Sequence, residues 1–146
     1  MSDNGHVARA TVVIDAAKEQ VWEALTDPDS ISQYMFGAKV TTDWREGSPI
    51  TWEGEWDGQP YQDKGTVRDV HPPQVLEYSH FSPLTGLPDV PENYHNVRIE
   101  VVEDGPATRV TLIQDNNETE ETKDHSEGNW QAMLDGLKKV AEERSG

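Results

Sequence analysis

Residues 50–61 read ITWEGEWDGQPY. Side chains on a strand alternate between faces, so Trp52, Gly54 and Trp56 share one face. Asp57-Gly58 then supplies a tight hairpin turn, and Tyr61 opens the next alternating run. A hairpin sets its two strands antiparallel. On the shared face, a residue with no side chain lies between two indoles. Either a neighbouring element packs closely over Gly54, or the face lines a space that stays partly open.

Outward from this hairpin the same signals repeat. Strands are predicted over residues 6–14, 38–44, 49–56, 61–71, 74–81, 94–103 and 108–115. Pro72-Pro73 marks a reversal and Asp104-Gly105-Pro106 a second hairpin turn. The connection over residues 82–93, SPLTGLPDVPEN, is long and carries three prolines, which suits a functional loop or lid. After the first strand, Asp15 is placed as the N-cap of a helix over residues 16–26 that buries Val21, Trp22 and Leu25. Asp27-Pro28-Asp29-Ser30 breaks that helix and starts a short second one through about Tyr34, ended by Gly37.

The chain closes with a long helix. Asn117 and Glu120 resemble a capping box, acidic residues favour its start and basic ones its end. Trp130, Met133, Leu134, Leu137, Val140 and Ala141 form one apolar stripe, and Gly128 is expected to weaken the helix just before it. The order is one strand, two short helices, six strands and one long helix. Consecutive strands on short links make an antiparallel sheet, and the helices must cover one face of it, giving an α+β class.

The chain has 146 residues, enough for one domain and for a core without covalent staples. There is no cysteine, which excludes disulfides and thiolate metal sites. The 28 acidic and 12 basic residues leave a formal charge of −16, a surface that repels nucleic acid and anionic membranes. The acidic residues are spread out rather than blocked, as on a solvated surface. Apolar runs are too short for a transmembrane helix, and MSDNGHVARAT lacks the apolar centre of a signal peptide, so a cytoplasmic location is expected.

Three stretches carry a family resemblance: VWEALTDPDSISQYMFG after the first strand, the GxV strand at Gly65–Val67, and the closing helix NWQAMLDGLKKVAEE. Together they resemble the SRPBCC (START-like) superfamily, within it the branch named after the C-terminal domain of the heat-shock-protein-90 ATPase activator. The resemblance runs from Val7 to Glu143. Family members often have Gly directly before the helical Trp, whereas here Asn129 takes that place and Gly128 lies one position earlier. The resemblance implies a helix-grip fold, a curved seven-stranded antiparallel sheet wrapped around the C-terminal helix, with an apolar pocket between them. Trp52 and Trp56 would then point at the helix, with Gly54 leaving room for Trp130 or a ligand. The branch name also implies a stress-response role.

Catalytic signals are sparse. No serine sits in a nucleophile elbow, and there is no phosphate-binding glycine loop or HExxH. His80 and His95 flank the proline-rich loop, and antiparallel pairing would bring them together. They could anchor the loop, act as acid and base, or join Glu92 or Asp89 around a metal, although zinc sites usually need three well-placed ligands. The reading adopted has no metal and no cofactor. Candidate ligand-binding residues are the aromatics Trp22, Tyr34, Phe36, Trp44, Trp52, Trp56, Tyr78, Tyr94 and Trp130, with His80, Gln114, Met133, Leu134 and Leu137. Gln114 shares a face with Val110 and Leu112, so its amide is either satisfied by a neighbour or offered to a ligand. The expected function is non-catalytic binding of a small hydrophobic or amphipathic molecule. The alternatives are a small cyclase- or hydrolase-type enzyme using His80 and His95, and a co-chaperone-like domain with a protein partner.

Overall fold

The computed structural model describes residues 6–35, 37–56, 58–82, 88–117 and 119–145, without the side chains of Trp56, Pro91, Arg144 and Ser145. In chain order the elements are β1 (His6–Ile14), α1 (Lys18–Thr26), α2 (Pro28–Tyr34), β2 (Lys39–Thr41), β3 (Pro49–Trp56), β4 (Gln59–His71), β5 (Val75–His80), β6 (His95–Asp104), β7 (Ala107–Asn117) and α3 (Glu120–Ser145). A 3₁₀ turn, Pro91–Asn93, precedes β6. The strands form one antiparallel sheet in the order β1-β7-β6-β5-β4-β3-β2. The helix-grip expectation holds.

Strand periodicity explains the layering. In β1 the residues Ala8, Ala10, Val12 and Ile14 are buried while their neighbours are exposed. The stripe on α3 meets this concave face, with Met133, Leu134, Leu137, Val140 and Ala141 all buried. Each fully buried leucine contributes about 1.5–3 kcal/mol relative to exposure. α3 also runs along the free edge of β1 and satisfies its backbone. Glu127 and Glu142 accept from the N–H groups of Arg9 and Asp15, at 3.0 and 2.8 Å, and Gln131 and Lys138 donate to the carbonyls of Thr11 and Val13. These four side chains occupy one flank of the helix and blunt an edge that would otherwise pair with another strand.

Several boundaries differ from the sequence reading. The second strand is only Lys39–Thr41, not 38–44, because the chain leaves the sheet there. Thr42 and Asp43 side chains accept from the N–H groups of Trp44 and Arg45, and Trp44 adopts a left-handed φ of 58°. Asp15 does not cap α1. The helix starts after Ala17, whose N–H donates to the side chain of Gln20. Asn117 does not cap α3 either. Thr119 takes that role, accepting from the N–H of Thr122 at 3.1 Å. Asn117 ends β7 and ties three elements together, donating to the His6 carbonyl and accepting from Ser126.

The glycine that matters most on α3 is Gly136 rather than Gly128. A Cβ at Gly136 would come 3.2 Å from the Cβ of Tyr34, so its absence lets α2 lie close across α3. A Cβ at Gly128 would meet nothing.

Candidate functional site

Between the sheet and α3 lies a partly open cavity of about 420 Å³. Its apolar wall comes from Met35 at the end of α2, Ala38, Trp52 on β3, and Trp130 and Met133 on α3. Trp52 is buried, and its ring lies 5.2 Å from Tyr78 and 5.1 Å from His80. Beyond Met35, Trp52 and Met133 the same interlayer space continues toward Leu25, Ile31, Tyr34, Trp44 and Tyr78, but side chains there leave only about 10 Å³.

The opposite wall is polar and follows from strand register. Asp63 on β4, His80 on β5, His95 on β6 and Gln114 on β7 all share the inward parity of apolar residues farther along the same strands, such as Val67, Tyr78, Val97 and Leu112. His80 and His95 are direct cross-strand partners, and Gln114 pairs with Val97. Each of these four strands therefore turns polar at the same end of the concave face, and the four side chains form a band across it.

The bonds within the band are specific. His80 Nε2 lies 2.9 Å from Asp63 Oδ2, and both side chains are mostly buried. Asp63 Oδ1 and His80 Nδ1 are buried with no hydrogen-bond partner among the described residues. His95 Nδ1 lies 2.9 Å from the Asp115 carbonyl. A carbonyl only accepts, so Nδ1 carries the proton and Nε2 of the neutral ring is an acceptor. The Trp130 indole N–H donates to Gln114 Oε1 at 2.9 Å, which answers the question of that amide: a neighbour satisfies its oxygen. Gly54 is answered too. A Cβ there would sit 2.8 Å from the Tyr61 hydroxyl, so the space above Gly54 belongs to Tyr61 on the paired strand, not to Trp130 or a ligand. Burial, then the nearby Asp63, raises the Tyr61 phenol above its ordinary pKa.

The other sequence candidates fall elsewhere. Tyr34 and Trp44 line the filled end. The Tyr34 hydroxyl donates to the Leu25 carbonyl at 2.9 Å. Leu134 and Leu137 are core residues that do not border the cavity, and Trp22 packs against the core from outside. Tyr94 stacks on Phe81 at 5.1 Å and donates to Asp89, away from the cavity. Phe36 and residues 83–87 of the long loop lie outside the described residues, as does the side chain of Trp56. The described ends of that loop, Ser82 and Asn93, do border the cavity. Asp89 forms an ion pair with Lys64, and Asn116 donates to the Glu92 carbonyl. Neither acidic residue joins the histidines in a metal-ligating group. The three-ligand group among the described residues is Glu46, Asp69 and His71, far more exposed than the cavity band.

Asp63 and Tyr61 are absent from the sequence candidates. Their signal was parity: both share the inward face with Val67, and an inward Asp on an amphipathic strand marks either a buried pair or a site.

A curved antiparallel sheet closed over one long helix, with a cavity between the two, defines the helix-grip class. The chain matches the family described as Activator of Hsp90 ATPase homolog 1-like protein over residues 15–142 and belongs to that family, within SRPBCC. ChR145 from Cytophaga hutchinsonii is 51% identical over 98% of both chains, with a TM-score of 0.84. The Aha1 dimer from Colwellia psychrerythraea shares the fold at 19% identity, covering 97% of this chain and 99% of that one, TM-score 0.74. CalU16 from Micromonospora echinospora does so at 21% identity over 96% and 91%, TM-score 0.69. No curated protein matches the chain. No helix among the described residues is long and apolar enough to cross a membrane.

Proposed function

We propose that this protein binds a small apolar or amphipathic molecule between the sheet and α3, without covalent chemistry. The observation that carries this reading is the cavity of about 420 Å³, walled by Trp52, Trp130, Met35 and Met133 on one side and by the polar band on the other. Small-molecule sites are apolar clefts of roughly 300–1,000 Å³ with a few placed polar groups. The net charge of −16 supports a partner other than nucleic acid. A protein-docking reading has less support. The exposed large apolar side chains among the described residues are Val7, Val13 and Val102, and Val13 and Val102 are separated by Arg109 in the sheet register.

One observation favours the enzyme as a second reading. Asp63 holds the His80 imidazole inside the cavity, as carboxylates orient imidazoles in acid–base sites.

The test uses N-phenyl-1-naphthylamine, a neutral dye that brightens in apolar surroundings. The wild type is expected to bind it, with quenching of indole fluorescence. Ala38→Phe, which pushes a ring into the cavity from a buried position, is expected to weaken binding by about tenfold or more, or about 1.4 kcal/mol. Equal affinity in wild type and Ala38→Phe would count against the cavity as the site. A co-purifying compound that the wild type converts, and His80→Gln does not, would move the protein to the enzyme class.

A further inference from the structure

We infer that the cavity selects ligands whose head group donates hydrogen bonds and carries no negative charge, an amine or a hydroxyl, and that it rejects fatty acids and other anionic amphiphiles. This rests on the ligand-binding reading above and deepens it.

The argument begins with charge. Among the described residues no Lys or Arg borders the cavity, and the carboxylate that does is Asp63. The nearest cation along the chain, Lys64, has the opposite strand parity, is half-exposed, and pairs with Asp89. Lys123, near the start of α3, lies beside Asp124 and Glu127. An anionic head group in this space would face Asp63 with no Lys or Arg among the described lining residues to offset it. Buried charges without partners are strongly disfavoured, and like charges in a poorly solvated site more so.

Hydrogen-bond sense points the same way. Asp63 Oδ1 is an acceptor with no partner among the described residues. His80 places Nε2 against the carboxylate, so the proton belongs there and Nδ1 of the neutral ring is a second unpartnered acceptor. His95, which also borders the cavity and spends Nδ1 on the Asp115 carbonyl, offers Nε2 of its neutral ring as a further acceptor. Buried polar atoms without partners are uncommon in folded proteins, and each calls for an explanation. A ligand ammonium or hydroxyl supplies donors to these acceptors, beside the Tyr61 hydroxyl and the Gln114 amide, while the indoles and thioethers opposite take its apolar body.

The experiment displaces N-phenyl-1-naphthylamine with decylamine, decanol and decanoate, each below its micelle concentration. It is run at about 0.5 M salt, where screening over a few ångströms removes the pull of the acidic surface. Decylamine and decanol are expected to bind at least about tenfold tighter than decanoate. In Asp63→Asn, decylamine should lose affinity relative to decanol, and decanoate should gain. Decanoate binding the wild type as tightly as decanol, with the dye still entering, overturns this inference alone. A dye that does not enter at all overturns the binding reading and this inference with it. The wild-type ranking decides the matter even if Asp63→Asn does not fold.

Discussion

One interlayer space has two ends that differ sharply. At one end Leu25, Ile31, Tyr34, Trp44, Ile50 and Tyr78 close on the sheet and leave about 10 Å³. At the other about 420 Å³ stays open. Both ends lie under the same sheet, and Met35, Trp52 and Met133 border both. The difference comes from the short helices. At the closed end α2 presses Tyr34 onto Gly136 of α3 and fills the gap. Toward the open end α2 has finished, and the strands turn from apolar to polar residues on their inward face. Stability is concentrated where packing is complete, and binding chemistry where it stops.

The largest way to break this contrast is Leu134→Ala, in the core away from the cavity. A loss of about 2–5 kcal/mol in chemical unfolding is expected. Dye affinity measured on the folded fraction should move less than about threefold, below about 0.7 kcal/mol. A large loss of affinity would mean that the two ends are one mechanical unit.

Met133→Ala sharpens the contrast, because this side chain belongs to both ends. A loss of about 2 kcal/mol is expected, at the low end for a buried Met because part of its surroundings is already open. Removing it should join the two spaces, so dodecanol should gain on decanol relative to the wild type. No change in that ratio would show that Met133 does not divide them.

The smallest effect near neutral pH concerns the four tyrosines. Burial holds the Tyr34 and Tyr78 phenols well above their ordinary pKa at the closed end. Tyr61 and Tyr94 are raised too, Tyr61 chiefly by partial burial and Tyr94 chiefly by its bond to Asp89, but both are far more accessible. In an alkaline absorbance titration, two phenols should ionise in the folded protein and two only on unfolding. The sign follows from linkage. The folded pKa values lie above the unfolded one, near 10, so this contribution is complete below that pH and is lost as pH rises beyond it. Four phenols titrating together before unfolding would refute the closed end as described.

Much of the fold was legible because it rests on periodicity. The bounds of β1 and β3, the antiparallel pairing of β3 with β4 and the stripe from Trp130 to Ala141 follow from local alternation and turn chemistry. Helix starts were less legible. Asp15 and Asn117 are good capping residues by type, yet the backbone N–H of Asp15 meets Glu142 and the Asn117 side chain joins β1, β7 and α3. Those partners are more than a hundred residues away for Asp15 and on three elements for Asn117, beyond any local pattern. Within the site, Trp52, His80, Gln114, Trp130 and Met133 were named from their types and faces, and all five border the cavity.

By itself the sequence determined the strand faces, the helix stripe, the family and the charge of −16, because each depends on residues near one another in the chain or on composition. Tertiary structure alone decided what fills the space those faces enclose. Whether Gly54 makes room for a ligand or for Tyr61 depends on strand register. Whether an inward Asp is a defect or half of a pair depends on a fourth-strand carboxylate meeting a fifth-strand imidazole. A cavity is the volume left over when side chains from distant segments fail to meet, and no local pattern records how far apart they come to rest.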